Sequence, residues 1–154
     1  MIRMTRQTDY GIVLMTCMAS RPERATHPAR DLSQEAHLSL PMVSKVLKVL
    51  ARKGLLVSHR GVKGGYSLAQ RPEKITVNQI IAAIEGPIAM TECSFETPGQ
   101  CTQEPLCPVR SNWQKINWAV RTALDRITLH EMTRPLQPQL LTLGGGGQVH
   151  GAGA

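Results

Sequence analysis

Between residues 92 and 108 the chain reads ECSFETPGQCTQEPLCP, and no regular element can run through it. Pro98, Gly99, Pro105 and Pro108 punctuate the run. Proline lacks a backbone donor and clashes inside a helix, and an inner strand tolerates it no better. A loop this long inside a compact domain needs something to order it. Three of the chain's four cysteines lie here, with seven residues between Cys93 and Cys101 and five between Cys101 and Cys107. Three thiols can hold a metal.

A length of 154 residues suits one domain with an appended arm and is enough to bury a core. Aromatics make up only 3%, so that core must be built from Leu, Ile, Val, Met and Ala. The formal charge of +7 points to an anionic partner, and its distribution says more than its sum. Residues 36–72 hold seven basic side chains (Lys45, Lys48, Arg52, Lys53, Arg60, Lys63 and Arg71) and no acid. Residues 85–104 hold four acids and no Lys or Arg. One segment is suited to phosphate, and the cysteine loop is not. The apolar stretch at residues 12–19 is too short for a secretory signal or a membrane span, so the expected location is cytoplasmic. Thiols stay reduced there, and clustered cysteines mean metal or redox chemistry more often than a disulfide.

Residues 4–19 read as a helix with an apolar face of Tyr10, Val13, Leu14, Cys17 and Met18. On that face Cys17 is a small core residue, and Asp9 lies just off it, where a carboxylate suits the helix dipole. Residues 29–37 make a short helix, 38–40 a tight link and 41–53 a second helix, with Pro41 at its start. Val43, Val46, Leu47 and Leu50 form its buried face; Ser44, Lys45, Lys48 and Arg52 point outward. That is a helix-turn-helix pattern. Gly54 ends the helix; residues 55–59, a turn over 60–65 and residues 66–68 then form a hairpin, hence a wing, with Arg60 and Lys63 near its tip. The glycine-rich turn is no P-loop, because the Gly-Lys-Ser/Thr ending is absent.

Residues 76–86 form another helix, with Thr76 and Gln79 as a capping box and Ile80, Ile81 and Ile84 as its apolar face. From Pro108 a long helix is expected to about Met132, with Val109, Trp113, Ile116, Val120, Ala123 and Ile127 as an a/d seam that favours a homodimer. A dimer suits DNA, since two reading helices meet successive half-sites. The end of the chain, GGGGQVHGAGA, has little to bury and reads as disordered. The cysteine loop lacks the Cys-x-x-Cys pairs of structural zinc and of thioredoxin-type enzymes. Its wide gaps suit wrapping an iron–sulfur cluster, with zinc and free or redox-active thiols as the alternatives.

The segments MTRQTDYGIVLM, LPMVSKVLKVLARKGLLVSHRGVKGGYSLA, ITVNQIIAAIEG and ITLHEM, with the three cysteines between the last two, resemble the winged-helix iron–sulfur regulators that include IscR and the nitric-oxide-sensing NsrR. The run NWQKINWAVRTALDRITL is most similar to the branch regulating the SUF iron–sulfur assembly operon. The resemblance spans about residues 1–133 and implies a mainly α fold: a winged helix-turn-helix with a small β-hairpin wing and a long C-terminal dimerisation helix. The expected division is residues 1–86 for DNA binding, 87–108 for the cluster loop, 109–133 for dimerisation and 134–154 as a disordered tail.

It implies Cys93, Cys101 and Cys107 as ligands of an iron–sulfur cluster, [2Fe–2S] in preference to [4Fe–4S]. The histidine that supplies IscR's fourth ligand is replaced by Arg110, whereas Asp9 matches the aspartate that NsrR donates from the other subunit's first helix. In the reading helix a glutamate of IscR-like proteins is replaced by Ser44, so operator preference does not carry over. Met42, Ser44 and Lys45 are expected to face bases, Lys48, Arg52 and Lys63 to meet phosphates, and Arg60 to enter the minor groove; Ser39 completes the expected DNA contacts. The implied function is a non-enzymatic, homodimeric repressor acting on a double-stranded DNA operator, controlling iron–sulfur assembly or related stress genes, with no small-molecule substrate. The alternatives are a nitric-oxide-sensing repressor, or a zinc-stabilised or thiol-redox regulator without a cluster.

Overall fold

The structure, a computed structural model, describes residues 3–94, 102 and 104–134, with Cys93 and Glu104 described in backbone only. Helix α1 (Arg6–Ala19) begins where Thr5 caps the amide of Thr8. Its buried residues are Thr8, Gly11, Leu14, Met15 and Met18. The expected face is thus turned: Val13 is exposed and Tyr10 only half-buried, while Gly11 and Met15 go inward. Gly11 sits at the closest approach to α4, where an added Cβ would meet the tip of Ile84. The missing Cβ lets α1 lie close against α4, and that approach sets which side of α1 faces the core. Cys17 is half-buried and packs against the core as expected. Burial first, then Glu35, pushes its thiol pKa up, which keeps it unreactive.

Helices α2 (Ala29–Glu35) and α3 (Leu40–Arg52) form the helix-turn-helix, burying Leu32 from the first and Val43, Val46, Leu47 and Leu50 from the second. Gly54, at φ 79°, closes α3. The Leu55 amide reaches back to the Leu50 carbonyl and the Gly54 amide to that of Ala51, the pair of bonds that defines a Schellman cap. Strands β1 (Leu56–His59) and β2 (Gly65–Leu68) pair antiparallel, with Ser58 opposite Tyr66 and His59 opposite Gly65. Unexpectedly, β2 has a second neighbour. His27 and Tyr66 exchange both backbone hydrogen bonds, at 2.8 and 2.9 Å, so the α1–α2 connector adds a one-residue third strand.

Helix α4 (Val77–Glu85) carries the expected Thr76–Gln79 capping box and buries Val77, Ile80, Ile81 and Ala83. The long C-terminal helix is a correction: it runs only as α5 (Arg110–Asp125), and a separate turn of helix, α6 (Leu129–Met132), follows. Two features break it. Thr128 and Glu131 form a second capping box that starts α6 anew. Backbone bonds from Val77 N to Ile127 O and from Leu129 N to Ile75 O then pull the chain back onto the winged domain. Leu129 is fully buried in the main core, a burial that contributes about 2 kcal/mol. The expected disordered tail falls, apart from Arg134, outside the described residues. No helix among the described residues is long and apolar enough to cross a membrane.

Candidate nucleic-acid interface and cysteine loop

The outward face of α3 and the hairpin beside it form one basic surface. Lys45, Lys48 and Arg52 stand exposed along the helix, and Arg60 and Lys63 at the wing tip. None of these five side chains pairs with a carboxylate among the described residues, so their charge is not neutralised locally. Ser39 is the exposed N-cap of α3, and its side chain makes no capping bond. Met42 and Ser44 are half-buried in the first turns of α3, the end that a helix-turn-helix presents to base edges. The structure therefore brings all eight expected DNA contacts onto two adjoining elements.

The wing is held in place from behind. Thr26 Oγ1 donates to the Lys63 carbonyl at 3.1 Å, and His27 anchors Tyr66. His27 is buried, and its Nδ1 makes no hydrogen bond among the described residues; burial first, then the Arg24 charge, holds its pKa below the usual histidine value. Ser58 and Tyr66, which face α3 across a groove with Lys45, Lys48, Ala51 and Arg52, were not anticipated from sequence. Strand alternation offered a signal, because both lie in phase with the inward Leu56 and Leu68.

The cysteine loop leaves the winged domain after Gly86 and returns to α5. Its start is secured by Asn117, only 5% exposed, whose Oδ1 accepts the Met90 amide at 3.2 Å. Thr91 and Ser94 hydroxyls meet at 2.8 Å around a 3-10 turn, Glu92–Ser94, that contains Cys93. Cys107 is free and half-buried two residues before the N-cap of α5. Cys101 lies outside the described residues. Asp9 is exposed on α1, and its carboxylate makes neither a hydrogen bond nor an ion pair among the described residues. Within one chain no three His, Cys, Asp or Glu come together among the described residues. Asn117 was missed because it falls beside the apolar seam, where nothing in the spacing marks it. Asn117→Ala strands the Met90 amide and is expected to lower stability by about 1 kcal/mol in urea unfolding; an unchanged midpoint would dismiss the clasp.

The comparisons with known proteins agree with this geometry. The Rrf2 family, described as iron-dependent transcriptional regulators, matches residues 4–135. The protein Rrf2 of Nitratidesulfovibrio vulgaris is 28% identical over 133 residues, 86% of this chain and 88% of that one. The regulator IscR of Escherichia coli O1:K1 is 26% identical over 151 residues, 98% of this chain and 91% of its own length. Among solved structures, CymR, the global cysteine regulator of B. subtilis, aligns with a TM-score of 0.68 at 28% identity over 86% of this chain and 97% of that one. IscR of T. potens aligns at 0.65 with 26% identity over 90% of this chain and 96% of that one. With a winged helix-turn-helix, an unpaired basic face and a match along most of its length, the chain belongs to the Rrf2 family of DNA-binding transcriptional regulators.

Proposed function

We propose that this chain is a cytoplasmic, homodimeric repressor whose grip on its operator depends on an iron–sulfur cluster held by Cys93, Cys101 and Cys107. One arrangement carries the reading: three thiols occupy the only stretch joining α4 of the winged domain to α5, in a family described as iron-dependent. Three soft sulfur donors fit such a cluster. Asp9 fits as the fourth ligand from a second chain, because its carboxylate is exposed and uncommitted. Val13 stands exposed one turn along the same helix, so the surface around Asp9 suits burial by a partner.

The dimer reading rests on α5. Ile116 is 44% exposed, and Val109 at the N-cap of α5 equally so, as an unpartnered seam requires. When bound, the cluster supplies iron that responds to oxidants, nitric oxide or iron supply, and [2Fe–2S] is the preferred form. The chain's own residues do the rest. With its thiolates engaged, the loop is pinned beside α5 and, through Asp9, to the other subunit. With them released, the two winged domains lose their fixed separation and no longer match successive half-sites.

Anaerobic purification tests this: a brown protein with iron and sulfide is expected, and Cys107→Ser should be colourless. Asp9→Ala should shed the cluster faster while the apo protein remains dimeric. A colourless wild-type protein with stoichiometric zinc would reject the cluster. A second reading, a thiol-based regulator, is favoured by the likeness to CymR, one of whose structures is of an oxidised form. It predicts a metal-free protein whose DNA affinity changes on thiol oxidation.

A further inference from the structure

We propose that the groove between α3 and the wing is a built seat for a DNA backbone phosphate, in which the hydroxyls of Ser58 and Tyr66 fix the position of the group that Lys45, Lys48 and Arg52 attract. The proposal rests on the DNA-binding reading and extends it to two uncharged residues and a defined place.

The groove has a volume of about 440 Å³, room for a phosphodiester and its sugar. Lys45, Lys48 and Arg52 lie at i, i+3 and i+7 and so line one edge of α3 facing the hairpin. Across from them stand Ser58 and Tyr66, opposite each other in the sheet. Both backbone bonds of Tyr66 go to His27, so Ser58 and Tyr66 form a non-hydrogen-bonded pair, the kind whose side chains sit closer together. Neither hydroxyl hydrogen-bonds to another described residue. The Tyr66 ring packs against the core while its hydroxyl remains uncommitted.

The division of labour follows from the side chains. A lysine ammonium is a point charge on a flexible stem; it raises affinity but specifies position poorly. A tyrosine hydroxyl on a packed ring, at a strand position bridged on both sides, is fixed before the DNA arrives. Tyr66 is paired on one side to β1 and on the other to His27, so its seat cannot follow the more open wing tip. Contacts of this kind set the register of a protein on DNA without reading bases.

Charge and position separate in a salt series. Fluorescence anisotropy is measured with a random-sequence duplex long enough for two half-sites a helical turn apart, across a range of KCl concentrations. Tyr66→Phe keeps the packed ring; it is expected to weaken binding about five-fold, and Ser58→Ala about three-fold, each with the slope of log K against log salt unchanged. Lys48→Ala should make that slope shallower by about 0.9. Thermal melts show whether Tyr66→Phe stays folded; Ser58→Ala, at an exposed strand position, carries the test if it does not. Wild-type affinity for the two hydroxyl variants, or a loss that comes with a shallower slope, overturns the proposal. If the wild-type protein itself binds the duplex without salt dependence, the DNA-binding reading falls instead.

Discussion

Gly65→Ala is expected to lower the unfolding free energy by about 3 kcal/mol and to weaken DNA binding about tenfold. A Cβ at this position would lie 2.6 Å from the His27 carbonyl oxygen, 2.7 Å from its carbon and 2.8 Å from the Pro28 nitrogen. All three are backbone atoms, so no rotamer change relieves the clash. Gly65 also holds φ 155°, where other residues are strained. The substitution must therefore push the connector off β2 and break the two His27–Tyr66 bonds. The wing would lose its back support, and Arg60 and Lys63 their placement. Urea unfolding and anisotropy check both effects, and a variant that melts like the wild type would refute the third strand.

The second large effect concerns Glu85. Its Oε1 accepts from the Thr8 hydroxyl and, at 2.8 Å, from the Thr5 amide, joining the last turn of α4 to the start of α1. The Thr8 hydroxyl bond first, then the Thr5 amide, holds its carboxyl below the usual range. A carboxylate with a depressed folded pKa contributes stability that is full above its unfolded value, about 4.3, and is lost as pH falls through the folded value. Glu85→Ala also leaves the fully buried Thr8 without that acceptor, so a loss of about 2 kcal/mol is expected at neutral pH. The gap between wild type and Glu85→Gln should narrow as the solution is acidified below about pH 4. A gap independent of pH would mean the carboxylate charge plays no part.

Much of the winged domain could be read from residues that announce their own geometry. Val43, Val46, Leu47 and Leu50 show one buried face, Gly54 marks the end of α3, and Thr76 with Gln79 marks the start of α4. The break after Asp125 was harder, because two signals competed. Ile127 continues the heptad spacing, while Thr128 and Glu131 start a new helix. The pairing of Thr76 with Thr128 decides the matter, and it joins residues 52 positions apart. The turned face of α1 depends in the same way on Ile84 of another helix. His27 as a strand was illegible, since a single residue beside a proline has no periodicity. The basic face of α3 and the hairpin was legible because its charges sit in a contiguous, acid-free window. The cysteines were visible as a group, but the fourth ligand proposed for them, Asp9, would come from a second chain, which no local spacing encodes.

The return of the chain through Leu129 changes what α5 is mechanically. A helix attached only through a loop would swing, and two copies joined along it would let their DNA-reading ends wander. Here the middle of α5 is tied through Asn117 to the segment leaving α4, and the chain just past its C-terminal end is fastened through Leu129 of α6 into the core that supports α3. The helix is a beam held at mid-span and just beyond its C-terminal end. In the proposed dimer, a displacement at Cys107 would reach the body that carries α3 through these two ties. Under the proposed function, small local changes near Cys107 would thereby become a change of distance between two DNA-reading surfaces.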